Sequence, residues 1–318
     1  MSKGMFSDQH ALSRRDLLLV AGTAAATLTA YSHAARAAPG PSNLVIDDVK
    51  QDEDIFAYIS RIKGGFDETT YRQVLGCANA FKEGDQTIAV AAENDTSRTN
   101  ARALLARTKI ADLDQHPLFE DDLQRLIWQT TDRAQQEKLK DWTMGQLKEF
   151  LLTKSEDEIK GVMHGLTSDT IGCVPKLMSN EELIAVSQKI FNVMPGTKLG
   201  AKGYMGARIQ PNSPTDHPDD IMWQVFDAFS YATGDIVIGT NPVDSTVDSV
   251  VTVERALKDI VDTFKLVDVI PWCVLAHIDV QGEVSEDFPG TVSTVFQSLA
   301  GTDDCNKIFD ITNDPVSK

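Results

Sequence analysis

The sequence predicts an α/β fold, with a helical N-terminal region followed by about four βα units. From about Asp52 to Val193 apolar residues recur at spacings of three and four, the period of an amphipathic helix. After Gly196 short apolar runs alternate with amphipathic segments of helix length, which is the pattern of a parallel sheet with crossover helices. Runs such as Ile236-Val237-Ile238 are apolar without alternation, as expected of a sheet covered on both faces. A doubly wound sheet and a TIM barrel both fit this pattern.

Residues 38–55 read as an extended lead. Tyr71, Val74, Leu75, Ala78 and Phe81 then mark one helical face. The pattern repeats over residues 100–108, 121–131 and 141–152, the last opened by a capping box at Thr143-Met144-Gly145-Gln146. Ser179-Asn180 opens a helix over 181–191, and Pro195-Gly196 closes the helical region. Strands are expected at 204–210, 235–241, 272–277 and 292–299. Helices at 220–231 and 249–264 alternate with them, the second carrying Val250, Val253, Leu257, Ile260 and Val261 on one face. The expected division is a signal segment at 1–37, a helical region at 38–195 and a strand-containing domain at 196–318.

The chain has 318 residues, 42% hydrophobic and 24% charged, as a folded domain requires. Its net charge of −17 argues against nucleic acid and anionic membrane as partners, since both select basic surfaces. Cys77, Cys173, Cys273 and Cys305 are widely spaced, with no metal-binding spacing and no evident pair. Ser13-Arg14-Arg15-Asp16-Leu17-Leu18-Leu19, an alanine-rich apolar run and Ala35-Arg36-Ala37 read as a twin-arginine export signal. The apolar run falls short of the ~20 residues that span a bilayer, so no stable membrane anchor is expected. Export places the mature chain in the periplasm.

The chemistry concentrates at two strand ends. Ala207-Arg208-Ile209-Gln210-Pro211-Asn212 sets an arginine and an amide on one strand face, because strand side chains alternate with period two. Gly234-Asp235-Ile236-Val237-Ile238-Gly239-Thr240-Asn241-Pro242 ends in a second amide. Such a set can hold a small polar molecule; the plainer reading is a salt-bridged strand end and a turn asparagine. These segments, followed by Cys273-Val274-Leu275-Ala276-His277 and Phe296-Gln297-Ser298-Leu299-Ala300-Gly301, closely resemble the large subunit of ethanolamine ammonia-lyase. The resemblance begins weakly near Tyr71 and runs to about Phe309.

That resemblance favours the barrel, so residues 196–318 are expected to form the first half of a TIM barrel. It implies conversion of ethanolamine to acetaldehyde and ammonia by adenosylcobalamin radical chemistry. It also implies a hetero-oligomer with a small subunit. Arg208, Gln210 and Asn241 match the positions that bind the amino alcohol. Arginine donors suit a hydroxyl and the amide oxygens suit an amino group. Pro242 and Gln297 match cofactor contacts. The family's acidic substrate ligands lie on later strands, and a barrel needs eight strands over about 250 residues. The chain is therefore expected to be the N-terminal part of the subunit and inactive alone. A non-catalytic extracytoplasmic binding protein for amino alcohols or corrinoids is the alternative.

Other candidates read structurally. Asp216-His217-Pro218-Asp219-Asp220 is a helix start rather than a metal cluster. His277 is a strand-end histidine rather than a base, Cys273 a buried small hydrophobe, and Gly84-Asp85 a helix C-cap and turn. Asp114-Gln115-His116 has Phe119 where a cobalt-ligating D-x-H-x-x-G motif would place glycine, in keeping with the resembled family.

Overall fold

A computed structural model describes residues 43–233 and 236–311. The export signal lies outside the described residues. The chain forms two compact units, one ending at Arg107 and the other starting at Thr108.

The first unit contains α1 (Ile55–Lys63), α2 (Glu68–Cys77), α3 (Glu83–Thr87) and α4 (Asp95–Arg107). Asp54 and Asp67 start α1 and α2 by accepting the Ala57 and Thr70 N–H groups, satisfying donors that a helix start leaves orphaned. Gly64 ends α1 at φ 79°, a conformation glycine adopts without a Cβ clash. Ile55, Ile59, Val74, Leu75, Leu104 and Leu105 are buried from these faces. Gly84 and Asp85 fall inside α3 rather than forming the expected C-cap, and the helix predicted through Phe81 stops at Cys77.

The second unit begins with α5 (Ile110–Asp114), α6 (Asp122–Thr130), α7 (Arg133–Leu139), α8 (Met144–Thr153), α9 (Glu156–Lys160), α10 (Ser168–Cys173) and α11 (Asn180–Ser187). Capping boxes Thr143/Gln146, Ser155/Glu158 and Ser179/Glu182 set the starts of α8, α9 and α11. Then come β1 (Ala207–Ile209), α12 (Pro218–Ser230), β2 (Ile236–Thr240), α13 (Val247–Thr263), β3 (Trp272–Val274), α14 (Ile278–Asp287) and α15 (Asp303–Lys307). The strands form one parallel sheet in the order β1-β2-β3, with Ile209 level with Ile238 and Ile238 level with Trp272. Their shared apolar face packs on Val225, Val250, Val253, Leu257 and Val284 of the crossover helices. Asp121 and Asp303 tie α15 back to α6, each carboxylate accepting N–H groups at the other's helix start. Among the described residues no helix is long and apolar enough to cross a membrane.

The expected fourth strand at 292–299 is not a strand. Thr294 makes one rung, its N–H donating to the Trp272 carbonyl at 3.1 Å. The next rung of a parallel ladder would take the Val274 N–H to the new strand. Glu254 of α13 intercepts it, its Oε1 accepting the Val274 N–H at 3.1 Å. A carboxylate thus caps the β3 edge where a fourth strand would pair. The α/β class stands, with three strands in place of four among the described residues.

Glu254 is fully buried, and burial pushes its carboxyl up to about 7, with the Val274 N–H pulling the other way. Between pH 4.5 and 7 the unfolded chain releases a proton that the folded chain keeps, so this group lowers stability as pH rises through that window. Glu254→Gln keeps the acceptor and removes the titration. Its unfolding free energy, measured by urea titration, is expected to gain roughly 2 to 3 kcal/mol on wild type between pH 5 and pH 8. Parallel pH profiles for the two proteins would contradict this.

Candidate functional site

Strand alternation sorts the side chains of β1. Ile209 is buried against the helices, and Arg208 and Gln210 emerge exposed on the opposite face. The Arg208 guanidinium bends across onto β2 and lies on Gly239. A Cβ built at Gly239 would meet Arg208 Nη2 at 2.5 Å and both Cζ and Nε at 2.9 Å. The glycine is therefore the space that the guanidinium occupies. Cys273 of β3 is level with Gly239. Burial pushes the Cys273 thiol up, with the Arg208 charge opposing. The Phe296 ring covers the arginine from beyond β3, its centroid 5.9 Å from Cζ.

Among the described residues no carboxylate pairs with Arg208. This removes the salt-bridged strand end from consideration within them and leaves a cation on an open face. Beside it Gln210 Nε2 donates to Asn241 Oδ1 at 2.9 Å, so the two amides predicted from sequence meet across the β1 and β2 ends. Asn241 Oδ1 is thus partly used, and Gln210 Oε1 has no protein donor among the described residues. The loop below is pinned by Gln224, which donates to the Asn212 carbonyl at 2.6 Å and accepts the Asn212 N–H at 3.0 Å.

Pro242 is half-buried directly after Asn241. Gln297 is held by internal bonds, its Oε1 accepting the Ile278 N–H at 2.9 Å and its Nε2 donating to the Ser298 carbonyl at 3.0 Å. It borders a cleft of about 530 Å³ at the carboxyl end of β3, lined also by Leu275, Ala276, Leu299 and Phe309. His277 at this end serves as the N-cap of α14, its Nδ1 accepting the Asp279 N–H and its Nε2 reaching the Phe309 carbonyl. His217 caps α12 in the same way, with Pro218 in the first turn. All four cysteines are free thiols.

Sequence reasoning missed Gly239 and Phe296 as parts of this site. A glycine inside a buried strand marks a close approach, which was the available signal for Gly239. Nothing local announced Phe296, since its contact with Arg208 spans β1 to the segment beyond β3.

A parallel sheet backed by helices, with a cation and two amides at its carboxyl edge, defines an α/β protein with a polar strand-end site. The family model described as "Ethanolamine ammonia lyase large subunit (EutB)" matches residues 66–318. The ethanolamine ammonia-lyase large subunit of Escherichia coli (strain K12) is 32% identical over 247 residues, which is 76% of this chain and 54% of that protein. The counterpart from Salmonella typhimurium is 31% identical over the same shares. The chain belongs to the ethanolamine ammonia-lyase large-subunit family. It spans about half the length of these curated relatives.

Gly239→Ala tests the glycine's role. The flexible guanidinium tip can move where the strand cannot, so unfolding free energy is expected to change by about 1 kcal/mol or less. A crystal structure of the variant is expected to show the guanidinium displaced to the ordinary contact range of 3.4–4 Å from the new Cβ. An unmoved arginine with a shifted β2 would contradict the assignment.

Proposed function

We propose that this chain supplies the amino-alcohol-binding face of an ammonia-lyase that converts ethanolamine to acetaldehyde and ammonia. In this reading β1–β3 are the first strands of a partial (β/α)8 barrel, the first half of one, over residues 196–318, preceded by a helical region at 38–195. The site lies at the carboxyl ends of the strands, where barrels gather their chemistry. The observation that carries the reading is the Arg208 guanidinium, without a carboxylate partner among the described residues, beside the hydrogen-bonded Gln210–Asn241 pair. Arg208 holds the substrate hydroxyl with directed N–H donors. Gln210 Oε1 accepts from the amino group, joined by the remaining lone pair of Asn241 Oδ1.

The residues also fit adenosylcobalamin. The cleft beside Gln297 is largely apolar, with Leu299 and Phe309 in its lining and Phe296 directly before Gln297, all exposed large side chains. Pro242 and Gln297 would hold the cofactor, the proline by shape and its carbonyl, the glutamine by its amide. When bound, the cofactor supplies radical hydrogen abstraction from the carbon bearing the hydroxyl. The protein orients the substrate and keeps water and side reactions away from it. A small subunit completes the enclosure in a hetero-oligomer. The twin-arginine segment supports export to the periplasm.

The test is turnover of ethanolamine by the enzyme assembled with its small subunit and adenosylcobalamin. Arg208→Lys is expected to bind cobalamin normally while acetaldehyde release falls tenfold or more, about 1.4 kcal/mol of transition-state stabilisation. A point ammonium does not reproduce the planar fork. Gln210→Ala is expected mainly to raise KM, by the worth of one neutral hydrogen bond, about 0.5–1.5 kcal/mol. Wild-type turnover in the lysine variant would remove Arg208 from the site.

Export is tested separately. Replacing Arg14 and Arg15 with lysine is expected to hold the precursor in the cytoplasm, whereas the unaltered chain reaches the periplasmic fraction in a shortened form. Equal periplasmic yields would contradict the twin-arginine route.

A further inference from the structure

The turn between β1 and α12 does more than connect them. Ser213, which is 3% exposed, folds the segment back on itself. Its hydroxyl oxygen accepts the His217 N–H at 2.9 Å and the Thr215 N–H at 3.3 Å, and its hydroxyl donates to Asp220 Oδ2 at 3.1 Å. The fold-back carries Asp216 to φ 53°, in the left-handed region that residues with a Cβ rarely adopt. Strained backbone of this kind persists where the surroundings over-determine it.

The surroundings here are the loop after β2. Asp216 is 8% exposed. Its Oδ1 accepts the Val243 N–H at 2.8 Å. Its Oδ2 accepts the same N–H at 3.0 Å, the Asp244 N–H at 2.9 Å and the Ser249 hydroxyl at 2.7 Å. Among the described residues no cation pairs with it, so neutral donors alone hold the charge. Burial works against the ionised form, and these donors prevail, keeping the acid below the usual carboxylate range. Bonds from backbone N–H groups to an ionised carboxylate are about twice as strong as neutral ones. Ser249 lies in the first turn of α13, where the helix dipole favours a negative charge.

Val243 and Asp244 directly follow Asn241-Pro242. One carboxylate from the loop after β1 therefore grips two N–H groups of the loop after β2 and a hydroxyl in the first turn of the helix that follows it. The Gln210–Asn241 bond joins the same two loops at the strand ends. We infer that Asp216 is a positioning residue, which clamps the β2 loop to the β1 loop and so sets Asn241 against Gln210. Its effect on ligand rests on the reading of those amides as amino-alcohol ligands. The clamp itself does not.

The experiment compares wild type, Asp216→Asn and Ser249→Ala in the full chain. Asp216→Asn keeps the size and places an NH2 group among N–H donors. Amide hydrogen exchange at Val243 and Asp244 is expected to speed up at least tenfold, with Ile238 unchanged, and the Gln210 side-chain amide resonance is expected to shift. Ser249→Ala removes one donor and is expected to move the same signals by less. In the assembled enzyme Asp216→Asn is expected to raise KM for ethanolamine at least tenfold, with a smaller fall in kcat. Unchanged exchange at Val243 and Asp244, or an unmoved Gln210 signal, would overturn the inference, and if the asparagine variant fails to fold the alanine variant decides it alone. Released loops with unaltered KM would overturn the positioning role. Released loops and a shifted Gln210 signal in a protein whose wild type ignores ethanolamine would support the clamp and count against the amino-alcohol reading.

Discussion

The two-residue alternation of three parallel strands is the constraint on which the site depends. Ile209, Ile238, Trp272 and Val274 must face the helices, because that face is the core of the sheet. Each such side chain contributes on the order of 1.5–3 kcal/mol when removed from water. A slip of one residue would exchange the two faces. Burial of Ile209 therefore forces Arg208 and Gln210 onto the opposite side, and burial of Ile238 forces Gly239 to stand level with Cys273 there. The polar site is the complement of the apolar core, written on alternate positions of the same strands.

Two longer-range devices then give the site its shape. Gly239 lets the Arg208 guanidinium lie against backbone, with Phe296 over it, so a flexible cation gains a defined place. The carboxylate of Asp216 locks the loop after β2, which carries Asn241 and Pro242 at its start. Glu254 of α13 also accepts a backbone N–H, at the β3 edge, from a fully buried carboxyl. The first two lie beside the amides and the cation, and the third governs how far the sheet extends.

Much of this was legible in the sequence, and the boundary between what was and was not is physical. Helices α6, α8, α11, α12 and α13 follow from apolar spacing and from caps such as Thr143 and Ser179, all local signals within four residues. The common face of Arg208 and Gln210 follows from strand period alone. The meeting of Gln210 with Asn241 was inferable once two neighbouring parallel strands were assumed. The failed strand at 292–299 was not inferable, because Glu254 competes for the Val274 N–H from twenty residues away. Asp216 was read correctly as part of a helix start, but its grip on Val243 crosses 27 residues of chain and leaves no local pattern. The sequence reading gave both amide oxygens to a ligand, whereas the structure gives one of them to Gln210.

The central claim is that Arg208, Gln210 and Asn241 form one amino-alcohol site, and a crystal structure of the protein with bound ethanolamine tests it most directly. The hydroxyl is expected within hydrogen-bond distance of the Arg208 guanidinium, with the nitrogen on Gln210 Oε1 and the Gln210–Asn241 bond kept. Ethanolamine bound away from the β1 and β2 ends, or an Arg208 side chain turned off Gly239 to pair with a carboxylate, would contradict the account.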